Sequence, residues 1–202
     1  MLIFIDAWSG NVLWFKFIET ETKCEYQIGL DFLIQNNYEI LSVTIDGRIG
    51  IKQVFSSYPT QICQWHFQVN LLRKTTLNPR TSLGQNIKYI ATHFINQRWS
   101  KQQLQNAFET LNKNYADFLS EKNHNNQYVH RSLRSAMRSI KTNLIHIFTL
   151  SDYPQLNIPN TTNHLDGGIN PKIKKLVYDH RGLSKPRRNK LIEVLLSSLG
   201  QK

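Results

Sequence analysis

The sequence predicts an α/β protein in which a mixed sheet carries a large helical insertion. Three observations predict it. Short β-rich runs alternate with a capped helical segment as far as Cys63; beyond Trp65 the texture becomes helical and basic; and two prolines, Pro154 and Pro159, set that body apart from a final helical stretch. Residues 1–75 therefore read as the N-terminal part of a core, 76–159 as a mainly helical, basic insertion, and 160–202 as C-terminal helices that complete the core.

Leu2 to Ile5 and Val12 to Ile18 are strand-like runs joined through Ser9, Gly10 and Asn11, so an antiparallel hairpin is expected, with Trp8 and Trp14 packed on it. Thr22-Lys23-Cys24-Glu25 has the form of a capping box, in which hydroxyl and carboxylate each satisfy an orphan amide, and predicts a helix to about Gln35. Asn36-Asn37 ends it. Tyr38 to Ile45 is a second strand pattern, reaching Asp46 just before Gly47; strand, helix, strand after a hairpin fits a parallel crossover in one sheet. A helix from about Ile49 to Phe55 and a short strand around Gln61 to Cys63 continue it.

Leu104, Phe108, Leu111, Tyr115, Phe118 and Leu119 recur at helical spacing, as do Leu133, Met137, Ile140, Leu144 and Ile147, with a polar loop at Asn123 to Asn126 between them. Ser184 can cap a last helix whose first turn tolerates Pro186 and whose apolar face is Leu191 to Leu199. Lys185, Arg187, Arg188 and Lys190 crowd the start of that helix, where cations oppose the dipole.

A chain of 202 residues with 40% hydrophobic composition suits one core carrying an insertion. The net charge of +11 points to a polyanionic partner, because Lys and Arg displace counterions from phosphates. Residues 1–60 hold four basic and seven acidic side chains, net −3, and the remainder holds 21 and 7, net +14. With only Cys24 and Cys63, a secreted disulfide framework is excluded. The apolar opening stops at Asp6 with no basic residue before it, which excludes a signal peptide or membrane span there; a cytoplasmic location is expected.

Asp46, an acid at a strand end before a glycine, stands where α/β sheets place ligands, and equally where an Asp-Gly turn would stand. Cys63 and His66 form a C-x-x-H pair, but tetrahedral zinc wants four ligands and no second pair is visible, so a structural corner is favoured and zinc is not expected. Asp166 reads as a helix cap or a metal ligand. Arg131, Arg134, Arg138 and Lys141 stack on one helix face with no acid between Val129 and Leu150, a pattern suited to tracking phosphates. Lys172, Lys174 and Lys175 are a more ordinary basic run. Asp6 is expected to serve the hairpin turn.

Val43-Thr44-Ile45-Asp46-Gly47-Arg48-Ile49-Gly50, Cys63-Gln64-Trp65-His66 and Ile158-Pro159-Asn160-Thr161-Thr162-Asn163-His164-Leu165-Asp166-Gly167, in that order, resemble the mutator-type insertion-sequence transposases of prokaryotes, which use an acidic (DDE) triad. The resemblance runs essentially from end to end and takes in His180-Arg181-Gly182-Leu183-Ser184-Lys185 and Leu133-Arg134-Ser135-Ala136. It implies an RNase H-like, retroviral-integrase-type mixed sheet. It implies also that Asp46 is the middle catalytic and metal-binding acid, and that Asp166 stands where the family has Glu, one methylene shorter. Cys63 and His66 match the family's C-x-x-H signature.

The family's first acid lies one strand before the strand matched by Leu2 to Ile5, so the resemblance implies an N-terminally shortened chain and an incomplete sheet lacking its first central strand. The implied chemistry is Mg²⁺- or Mn²⁺-dependent DNA cleavage and strand transfer, an in-line displacement at phosphorus that needs two ions about 4 Å apart. The implied partners are DNA, as transposon ends and target, and further copies of the full-length protein, in a nucleoid-associated setting. A catalytically inactive, DNA-binding remnant is the alternative, with Arg131, Arg134, Arg138, Lys141, Lys174 and Lys175 as its contacts.

Overall fold

Residues 1–48 and 50–200 are described in a computed structural model of the chain. It divides into two compact units, one formed by Met1–Val43, Arg48–Tyr58 and Thr162–Lys202, the other by Thr44–Gly47 and Pro59–Thr161. That division crosses the boundary at residue 75 read from the sequence.

The first unit opens with strands β1 (Leu2–Ile5) and β2 (Val12–Lys16), an antiparallel hairpin with Leu2 opposite Lys16 and Phe4 opposite Trp14. The turn is fastened by Asp6, whose carboxylate accepts from the Trp8 amide at 3.0 Å and the Ser9 hydroxyl at 2.6 Å. Those bonds, the Ser9 hydroxyl's foremost, hold the Asp6 carboxyl below its usual range. Trp14 packs edge-on against Phe4 at 5.3 Å, whereas Trp8, expected on the hairpin surface, is 65% exposed because it sits in the turn itself.

Helix α1 (Lys23–Gln35) begins as the sequence predicts: the Thr22 hydroxyl accepts from the Glu25 amide. Only that half of the capping box is seen, since the Glu25 carboxylate reaches Lys16 on β2 at 2.6 Å. The helix lies close on the hairpin at Gly29, where a Cβ would stand 2.7 Å from the Trp14 ring. A π-helical segment, His164–Ile169, leads into α8 (Asn170–Asp179), and α9 (Lys185–Gly200) follows. Val12, Ile169, Ile173, Ile192 and Leu196 form the core that these elements share.

The second unit holds most of β3 (Val43–Ile45), with β4 (Thr60–Ile62), α2 (Gln64–Thr75), α3 (Ser82–Asn96), α4 (Lys101–Asn114), α5 (Ala116–Ser120), α6 (Arg131–Ile147) and α7 (Thr149–Asp152). Phe67, Leu71, Leu83, Ile87, Phe94 and Ile140 bury one another here, with the Phe67 and Phe94 rings edge to face at 5.6 Å. Ser100 and Gln103 close a full capping box on α4. The buried Gln61 amide ties β4 to the end of α6, donating to the Ile147 carbonyl at 2.7 Å and accepting from the Leu150 amide at 3.0 Å. Burial of such a polar group is tolerated because its bonds are made.

Several expectations change. Among the described residues the strands pair two by two, β1 with β2 and β3 with β4, and not in one mixed sheet. The run from Tyr38 forms strand only over Val43–Ile45, while Tyr38 and Leu41 stay exposed. The helix expected over 49–55 is a single 3₁₀ turn, Ile51–Gln53, and Ile49 lies outside the described residues. The long amphipathic helix expected from Leu104 to Leu119 breaks at Tyr115, whose backbone (φ −120°) leaves helical geometry. No helix among the described residues is long and apolar enough to cross a membrane.

Candidate functional site

Asp46 is exposed and follows the last residue of β3. Gly47 turns the chain away at φ 84°, a conformation that disfavours side chains, and a Cβ there would also press the Ile62 side chain at 3.1 Å. Two further segments are fastened beside it. The Cys63 amide donates to the Ile45 carbonyl at 2.7 Å, the Gln64 amide to the Asn160 carbonyl at 2.8 Å, and the Thr44 hydroxyl to the Pro159 carbonyl at 3.1 Å. Stretches separated by up to 115 residues thus meet around the end of β3. Each bond satisfies a backbone group that would otherwise be lost at a strand or helix end.

Cys63 is buried at 1% exposure and caps α2 through its backbone, with no side-chain cap bond. His66 is half-buried and meets the exposed Trp65 ring edge-on at 4.8 Å. Sequence reasoning placed both residues at a corner; the Asn160 and Pro159 anchors could not be read, since they depend on long-range closure.

Asp166 belongs to the other unit. It lies in the π-helical segment, where its carboxylate accepts from the Thr162 hydroxyl and from the Asn170 side-chain amide at 3.3 Å. Both contacts come from side chains four residues away on either side, so Asp166 stands inside the helical segment and does not cap it. Mg²⁺ requires near-octahedral oxygen ligands. Among the described residues no group of three or more His, Cys, Asp or Glu side chains is gathered to hold an ion.

Of the four cations on α6, Arg131, Arg138 and Lys141 are exposed. Arg134 is half-buried; its guanidinium lies over the Tyr128 ring at 3.5 Å and donates to the Leu119 carbonyl. Arg131 donates to the Gln127 side chain. On α8, Lys174 is exposed and Lys175 pairs with Asp179 at 2.7 Å. Lys74 and Arg80 escaped sequence reasoning. A signal for them existed, because no Asp or Glu occurs anywhere between residues 47 and 108.

Compared with known protein families, with curated proteins and with solved structures, the chain matches none.

Proposed function

We propose that this chain derives from a mutator-type DNA transposase and that its helical unit binds DNA. The observation that carries the reading is the meeting of three motif segments at the end of β3: Thr44-Ile45-Asp46-Gly47, Cys63-Gln64 and Pro159-Asn160 are joined by hydrogen bonds of 2.7 to 3.1 Å. These are the strings that carry the family resemblance, and their convergence supports a common origin for them. The RNase H-like relationship remains part of this proposal. DNA is the partner that suits a unit with 12 basic and 5 acidic residues in which Arg131, Arg138 and Lys141 are exposed on α6.

In the family reading Asp46 is an acid for a Mg²⁺- or Mn²⁺-dependent strand transfer, with Asp166 the other carboxylate. The alternative, DNA binding without cleavage, is favoured by the local engagement of Asp166 with Thr162 and Asn170.

Two measurements separate these readings. Log affinity for duplex DNA is expected to fall linearly with log salt, and the double variant Arg138→Ala/Lys141→Ala to flatten that slope by about 1.8, at about 0.9 per phosphate contact. Absence of DNA binding by the intact chain sinks the proposal. In a strand-transfer assay with Mg²⁺ or Mn²⁺, activity lost in Asp46→Asn identifies the enzyme; DNA binding with no strand transfer identifies the binding protein.

A further inference from the structure

We infer that a cavity of about 250 Å³ in the helical unit seats a phosphate group of a nucleic-acid backbone. This inference rests on the DNA-binding reading of that unit and adds a discrete site to it. Three stretches far apart in sequence build the walls: the end of α2 with Lys74, the loop before α3 with Thr76 and Arg80, and the start of α6 with Arg131 and Ser132. Three lining side chains are cationic, and no Asp or Glu lines the cavity. Lys74 donates to the Ser135 hydroxyl at 2.7 Å and Arg131 to the Gln127 side chain, both neutral acceptors. The carboxylate of Glu121 reaches into this wall only as far as His130, at 2.9 Å.

The backbone adds to the same potential. Helices α3 and α6, 15 and 17 residues long, both start at this cavity, so the positive ends of two dipoles lie where the cations are. Arg131 at the first position of α6 opposes its own helix, and no side chain caps that helix. Thr76 holds φ 67° and ψ 168°, a conformation natural to glycine. The Thr81 hydroxyl caps α3 and Glu121 faces His130, but among the described residues Lys74, Arg80 and Arg131 pair with no carboxylate, and an excess of positive charge in a concave, three-walled site is the arrangement that an anion relieves.

The continuation of the site selects a polymer over a lone anion. Arg131 belongs both to the cavity and to the row along α6, and Arg138 follows it by seven residues, about 10 Å along the helix axis. Along the axis of B-DNA the phosphates of one strand advance by about 3.4 Å each, so about 10 Å spans a few of them. A backbone seated at Arg131 and lying along α6 would meet Arg138 and Lys141 next.

The test measures the salt dependence of duplex DNA binding by the intact chain and by Arg80→Ala, Lys74→Ala and Lys113→Ala. Lys113 is an exposed cation on α4, outside the cavity. Arg80→Ala and Lys74→Ala are each expected to reduce the slope of log affinity against log salt by up to about 0.9, the share of one phosphate contact, with Lys113→Ala unchanged. Should Lys74→Ala unfold for want of its Ser135 bond, the charge reversal Arg80→Glu gives the same reading at an exposed position. Wild-type slopes in the Arg80 and Lys74 variants, with binding intact, overturn the phosphate seat and leave the DNA-binding reading standing. No DNA binding by the unaltered chain overturns both.

Discussion

In the helical unit Phe67, Leu71, Leu83, Ile87, Phe94 and Ile140 bury one another within a nearly continuous stretch of chain, whereas the hairpin unit closes on Val12, Ile169, Ile173, Ile192 and Leu196, drawn from both ends of the sequence. The first core draws mainly on α2 and α3, neighbours in sequence, with Ile140 brought back from α6. The second must bring α8 and α9 back to a hairpin more than 150 residues earlier, as Val12 and Ile173 show. Charge divides the units as well: 12 basic and 5 acidic residues in the helical unit against 13 and 9 in the other. The larger buried core and the larger charge excess thus coincide in one unit.

The contrast breaks most readily at Phe94. Its replacement by Ala should cost the helical unit about 3–5 kcal/mol in chemical denaturation, because a fully packed ring leaves a cavity. A cost below that of Ile192→Ala in the hairpin unit would show that the deeper-looking core is not the stronger one. At Gly29 the hairpin unit is tested by addition: Gly29→Ala forces a methyl against Trp14 and Phe4, at an expected overpacking cost of about 1–3 kcal/mol.

Arg134→Ala should cost about 1–2 kcal/mol, a charged hydrogen bond and a cation–π contact discounted for partial exposure. Its DNA-binding salt slope should stay near wild type; a slope loss equal to that of Arg138→Ala would mean that Arg134 works as a phosphate contact after all. Ser100→Ala removes the α4 cap, at about 1 kcal/mol by thermal melting.

The smallest effect is at Asp6. Its carboxyl is held below 3.8, so the stability it contributes is fully present above that pH and is lost as pH falls through the lowered folded value. The stability difference between wild type and Asp6→Asn should be flat above about pH 5 and shrink in acid below the unfolded carboxyl pKa. A difference that grows in acid would show that the turn is held by something other than the ionised carboxylate.

Local chemistry was legible from the sequence wherever a few neighbouring residues determine the outcome. The Thr22 hydroxyl fixes the start of α1, the Ser9-Gly10-Asn11 turn fixes the hairpin, and the apolar spacing from Leu133 to Ile147 fixes α6. The pairing of the strands in two separate sheets was not legible, because pattern shows that Val43–Ile45 is a strand but not which strand it will pair with. The same holds for the site. Asp46 at a strand end was readable, while the Thr44–Pro159 and Gln64–Asn160 bonds needed the tertiary fold. Arg134 looked like its neighbours on the helical wheel, and the Tyr128 ring and the Leu119 carbonyl, both outside α6, engage it.

The two cysteines fall one to each unit, Cys24 exposed on α1 and Cys63 buried at the head of α2. A thiol reagent therefore meets a ready handle on one unit and a shielded one on the other. The rate at which Cys63 becomes alkylated is a clock for opening of the corner beside Asp46, and any ligand that grips that corner should slow the clock without touching the labelling of Cys24.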